Sequence, residues 1–126
     1  MILQEIKEIL DAQVIIAPQD PRMELKMACG CELMSDVLAF AKEESLLLTG
    51  LTNLQVVRTA EVANVKALVF VRGKEPDRET IALAMAKNIP LLLTELPMYE
   101  ACGRLYQAGL RGCSEVEEGS RAPHGG

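Results

Sequence analysis

Tryptophan is absent from these 126 residues, and phenylalanine and tyrosine occur only twice each. A core without large aromatic anchors is filled by aliphatic side chains, and hydrophobic residues make up 49% of the chain. Such a core suits helices layered on a parallel sheet, where branched aliphatics pack in rows. Histidine is nearly absent as well: His124, close to the end of the sequence, is the single one. It falls in a stretch expected to be disordered, so a Ser-His-Asp triad, a Cys-His dyad and an ordered Cys/His zinc site are not expected. Neither Gly-x-x-x-x-Gly-Lys-Ser/Thr nor Gly-x-Gly-x-x-Gly occurs, so the usual cradle for nucleotide hydrolysis is missing.

No run of Lys or Arg is present, and the net charge is −5. Without a basic patch or an aromatic platform, nucleic-acid binding is not expected. The longest apolar runs are strand-sized, far short of a membrane span. The first residues lack a basic segment followed by an apolar stretch, so no signal peptide is expected and a cytoplasmic location follows. In that setting Cys29, Cys31, Cys102 and Cys113 read as thiols, not as a disulfide framework.

What is present reads as one domain over residues 1–110, followed by a polar tail, 111–126, expected to be disordered. Ile2, Leu3, Ile6, Ile9 and Leu10 repeat at helical spacing, and Val14–Ala17 is a short strand. Pro18, Asp20 and Pro21 force a loop. Residues 22–28 alternate like a half-exposed strand, Cys29-Gly30-Cys31 reads as a turn, and a helix is expected at 32–42 on a stripe of Leu33, Met34, Val37, Leu38 and Ala41. Ser35-Asp36 then forms its polar face. Three apolar runs follow, at Leu46–Leu48, Lys66–Val71 and Pro90–Leu93, each closed by turn formers and succeeded by a helix, near 53–64, 77 onward and 97–108. Fully apolar strands alternating with helices indicate a parallel sheet covered on both faces.

Ligands of such sheets bind beyond the carboxyl ends of the strands. Those ends carry Thr49, Gly50, Thr52 and Asn53 in the first loop, Arg72, Gly73 and Lys74 in the second, and Thr94 in the third. Gly30 joins them if its strand runs parallel. Together they describe a pocket for an anionic small molecule: hydroxyls and an amide to hydrogen-bond it, Arg72 or Lys74 to neutralise it, and helix N-termini to favour its charge. The competing reading makes Thr52, Asn53 and Asp77 plain helix caps.

Cys31-Glu32-Leu33-Met34-Ser35-Asp36-Val37-Leu38-Ala39, and Ile89-Pro90-Leu91-Leu92-Leu93-Thr94 with Met98–Tyr106, resemble segments of the DRTGG domain, and the likeness runs from about Glu24 to Leu110. The name-giving motif is replaced here by Met23–Gly30, where Gly30 alone offers an easy left-handed position. The resemblance implies a three-layer α/β/α fold with a mainly parallel central sheet, like the N-terminal domain of HPr kinase. It also implies a regulatory part, near dimer interfaces, that senses adenine nucleotides.

The expected function is therefore a non-catalytic regulatory module for a small anionic ligand, with adenine nucleotides the class the resemblance implies, no cofactor, and a homodimeric state. Dimerisation is also expected from exposed apolar residues on the first helix. One alternative is an adaptor for a hydrogenase, another redox enzyme or a signalling partner, through an adaptable surface of Met23, Met27 and Met34. Another is a thiol or metal function at Cys29, Cys31 and Cys102, although Cys102 shares a stripe with Met98, Leu105 and Tyr106 and also reads as core.

Overall fold

Residues 1–114 are described by a computed structural model. In chain order they form α1 (Leu3–Leu10), β1 (Gln13–Ile16), β2 (Met27–Gly30), α2 (Met34–Phe40), β3 (Leu46–Thr49), α3 (Leu54–Val62), β4 (Ala67–Phe70), α4 (Arg78–Ala86), β5 (Leu91–Leu93), α5 (Met98–Gln107) and β6 (Arg111–Gly112). The six strands make one sheet in the order β1-β5-β4-β3-β2-β6. Every pairing is parallel except β1 against β5.

The central strands are apolar throughout because both faces are covered, and strand alternation divides their side chains between two cores. Leu46, Leu48, Ala67, Val69, Val71 and Leu92 pack with Leu3, Ile6 and Leu10 of α1 and Ala101 and Leu105 of α5. Leu47, Leu68, Phe70, Leu91 and Leu93 pack on the opposite side with Val37 of α2, Val56, Val57 and Ala60 of α3, and Ala84 of α4. The expected three-layer arrangement is thus observed.

Several expectations are corrected. Cys29 and Gly30 are not a turn but the end of β2, paired with Leu47 and Leu48 of β3. The missing side chain of Gly30 suits this position because α5 approaches closely. A Cβ on Gly30 would lie 2.9 Å from both Cys102 Sγ and Met98 Sδ. On α2 the expected apolar stripe is only partly in the core: Val37 is buried and Met34 and Ala41 pack beside it, whereas Leu33 and Leu38 are 61% and 53% exposed. The apolar residues of α1 are not an exposed face, since Leu3, Ile6 and Leu10 are buried against α5 and the sheet. That reason for dimerisation falls away.

The ordered chain also continues past residue 110. Arg111 pairs with Met27 and Gly112 with Ala28, and Cys113 is buried. A two-residue strand carries too little period to show in sequence. The rest of the expected tail, including His124, lies outside the described residues.

Candidate functional site

β2, β3, β4 and β5 end on one rim because they run parallel and side by side. Backbone hydrogen bonds knit the loops that leave it. The Val71 N–H donates to the Thr49 carbonyl at 3.0 Å, Arg72 to Leu96 at 2.9 Å, Gly73 to Thr94 at 2.9 Å, and Cys31 to Leu48 at 3.1 Å. Arg72 and Gly73 both take left-handed backbone, with φ of 61° and 65°, which turns the β4–α4 loop sharply over its neighbours.

Arg72 then reaches across β3. Its Nη2 lies 3.5 Å from Glu32 Oε2 on the β2–α2 loop. The pair passes directly over Gly50: a Cβ there would meet Arg72 Nη2 at 2.5 Å and Glu32 Oε2 at 2.8 Å. Gly73 has a similar close neighbour, since its Cβ would meet Glu95 Oε1 at 2.6 Å. Two glycines expected for a ligand therefore make room for side chains of adjoining loops.

The other expected residues divide. Thr49 is buried and its Oγ1 accepts the Leu51 N–H at 3.1 Å. Thr94 is buried, donates to the Leu10 carbonyl at 2.8 Å and accepts the Leu96 N–H at 3.2 Å. Both hydroxyls serve the protein's own backbone. Thr52, Asn53 and Lys74 keep outward positions on the rim, Asn53 and Lys74 being exposed. Gly30 is on the same rim, at the end of β2.

The helices that start at the rim differ in charge. Asp77 caps α4, its Oδ1 accepting the Thr80 N–H at 2.8 Å, and Glu79 follows in the first turn. Asp36 and Glu100 occupy the first turns of α2 and α5. α3 has no acidic residue in its first turn, and Asn53, although at its N-cap, makes no side-chain capping bond. The positive end of α3 is thus the one least compensated by the chain itself. Asp77 is a plain cap, whereas the Asn53 amide remains available.

A second feature lies along the β2–β6 edge. A cavity of about 1250 Å³ opens between these strands, α5 and the end of α2, with Gly30, Lys42, Cys102, Tyr106, Arg111 and Cys113 in its wall. Phe40 and Tyr99, at its rim, are 66% and 89% exposed. Beside it, Cys29 interacts with the thiols of both Cys113 and Cys31. Hydrogen bonding to Cys113 and burial push the Cys29 thiol up. The reciprocal hydrogen bond from Cys29 holds Cys113 down to about 6, helped by the Lys42 backbone. Burial raises Cys31 and Cys102. The thiol group expected at Cys29, Cys31 and Cys102 is therefore regrouped: Cys113 takes the place of Cys102, which packs with the core on the other face. Among the described residues no cluster of three or more Cys, His, Asp or Glu side chains is placed to hold a metal ion.

The three methionines do not form one open surface. All are partly buried, Met23 against one core and Met34 against the other. No helix among the described residues is long and apolar enough to cross a membrane.

Residues 5–108 match the family model of the DRTGG domain. No curated protein matches the chain by sequence. Among solved structures it is similar to the CBS and DRTGG domains of the regulatory region of Clostridium perfringens pyrophosphatase, a complex with the activator diadenosine tetraphosphate. The TM-score is 0.71 at 19% identity, over 84% of this chain and 46% of that one. The likeness is one of fold, and the chain spans just under half the length of that structure.

Proposed function

The chain belongs to the DRTGG domain family, and from that premise we propose that it is a non-catalytic regulatory module for a small anionic ligand, with an adenine nucleotide the first candidate. The solved neighbour is a regulatory region in complex with an adenine-nucleotide activator. The observation that carries the reading is the uncompensated start of α3, preceded by Thr52 and Asn53, with the Arg72 guanidinium over Gly50 in the same loop.

The Arg72–Glu32 pair supplies a way to signal. Both side chains are about half exposed, so the pair is weakly held in water. A phosphate at the α3 N-terminus competes with Glu32 for Arg72 and forms a charge-assisted bond to it. Glu32 is then released, and with it the β2–α2 loop. Lys74, which forms no ion pair among the described residues, adds positive charge at the same rim. Ligand occupancy thereby becomes a change in the loop leading into α2.

Thermal unfolding of the chain with ATP, ADP, AMP, diadenosine tetraphosphate and acetyl phosphate tests this. A ligand at about a hundred times its Kd stabilises the folded state by roughly 2.7 kcal/mol. The expected result is a raised Tm with at least one adenine nucleotide, lost in Arg72→Ala. No shift with any compound at millimolar concentration, or an equal shift in Arg72→Ala, rejects the site.

Self-association is the second reading. It is favoured by Phe40 and Tyr99, which stand exposed on one flank of the molecule beside the open β2–β6 edge. Exposed aromatics of this kind mark interfaces. Light scattering is expected to give a dimer that Tyr99→Ser weakens. A monomer at high micromolar concentration rejects it.

A further inference from the structure

Three thiols follow one face of the sheet along the β2–β6 edge. Cys29 and Cys31 are two residues apart in extended chain, which puts them on the same side. Met27 pairs with Arg111 and Ala28 with Gly112, so the next step of this parallel register sets Cys113 opposite Cys29. The Cys113 N–H donates a 3.1 Å bond to the Ala28 carbonyl and so carries the ladder one residue beyond β6. Adjacent strands run about 4.8 Å apart, inside the roughly 4.4–6.8 Å of Cα separation that a disulfide bridges. Both residues also contribute to the wall of the large cavity, Cys29 half-buried and Cys113 buried.

We propose that Cys29 and Cys113 are a reversible dithiol–disulfide pair, oxidised by a hydroperoxide and reduced by a thiol, that fastens β6 to β2. The Cys113 thiolate attacks one peroxide oxygen. The O–O bond breaks, one oxygen leaves with a proton as water or alcohol, and Cys113 becomes a sulfenic acid. Cys29 then attacks the Cys113 sulfur, the S–O bond breaks, and water leaves with the Cys29 proton. The two thiols lose two electrons and the peroxide gains them. Exchange with two equivalents of a small thiol restores the pair and yields that thiol's disulfide.

The surroundings assign the two roles. The hydrogen bond from Cys29, with the Lys42 backbone and charge, favours thiolate at Cys113, and the thiolate is the nucleophile. Cys29 retains its proton until the sulfenic acid forms. Cys102 provides an internal control. It packs with the α1–α5 core, separated from Cys29 by the thickness of the sheet.

The test uses the full reduced chain, treated anaerobically with one equivalent of hydrogen peroxide, then alkylated and mapped by mass spectrometry. A linkage within one chain between the peptides carrying Cys29 and Cys113 is expected, with Cys102 fully alkylated and both thiols recovered with dithiothreitol. Because Cys29 and Cys31 share a tryptic peptide, Cys31→Ser must keep the linkage and Cys29→Ser must lose it. Before oxidation, Cys113 must alkylate faster than Cys102. Circular dichroism confirms that both variants are folded. Recovery of Cys113 as free thiol or as an over-oxidised acid without linkage overturns the proposal. A Cys29–Cys31 bridge or linkage only between two chains does the same.

Discussion

The Thr94 hydroxyl donates a 2.8 Å hydrogen bond to the carbonyl of Leu10, 84 residues earlier in the chain. Leu10 closes α1, where the last carbonyls have no intrahelical donor. Since the Thr94 oxygen also accepts the Leu96 N–H, one side chain ties the end of α1 to the β5–α5 loop. Its burial excludes water as a substitute partner.

Thr94→Val retains the shape and removes both bonds. Leaving a buried carbonyl and N–H unpaired costs about 1–3 kcal/mol per group. The urea midpoint should fall accordingly, while Thr94→Ser retains most of the stability. An unchanged midpoint in Thr94→Val contradicts the assigned role.

Gly73→Ala meets two obstacles, a left-handed φ of 65° and the Glu95 carboxylate 2.6 Å from the added Cβ. The backbone cost alone is roughly 1–2 kcal/mol. Calorimetry should show a lower Tm, and Glu95→Ala in the same chain should recover the contact part and not the backbone part.

Gly30→Val drives a branched side chain into Cys102 and Met98 of α5. Overpacking of this kind costs about 1–3 kcal/mol. Hydrogen exchange should show the loss first in the amides of α5 and the β2–β6 edge. Uniform loss across the sheet argues against a local clash.

Much of this fold could be read before the structure. β3, β4 and β5 were legible because all their residues but Thr49 are apolar and each run ends in turn formers. Their order along the chain placed their trailing loops on one rim. β2 was not legible as Met27-Ala28-Cys29-Gly30, because it lacks branched residues; its strand conformation is imposed by β3 on one side and β6 on the other. The Arg72–Glu32 pair joins two loops distant in sequence, and no local pattern announces it. The Thr49 and Thr94 hydroxyls looked like ligand contacts for the same reason: composition does not reveal which way a side chain is spent.

The Asp77 carboxyl is held below the usual carboxylate range by hydrogen bonding at Thr80, whose backbone N–H donates to it. A carboxylate whose folded pKa is depressed contributes stability above its unfolded pKa and loses it as pH falls through the folded value. Acid titration of stability should therefore lose part of its slope in Asp77→Asn, which keeps a capping oxygen but cannot titrate. Equal slopes in both proteins would remove Asp77 from the acid response.

The antiparallel edge strand has a further consequence for synthesis. β1 is made among the first elements, yet its one neighbour, β5, is among the last. Through most of translation Val14, Ile15 and Ile16 have no strand to pair with, while β3 and β4 can already join. Within the emerging domain this leaves an open apolar ribbon, a target for chaperones or for neighbouring ribosomes' products until the fifth strand leaves the exit tunnel.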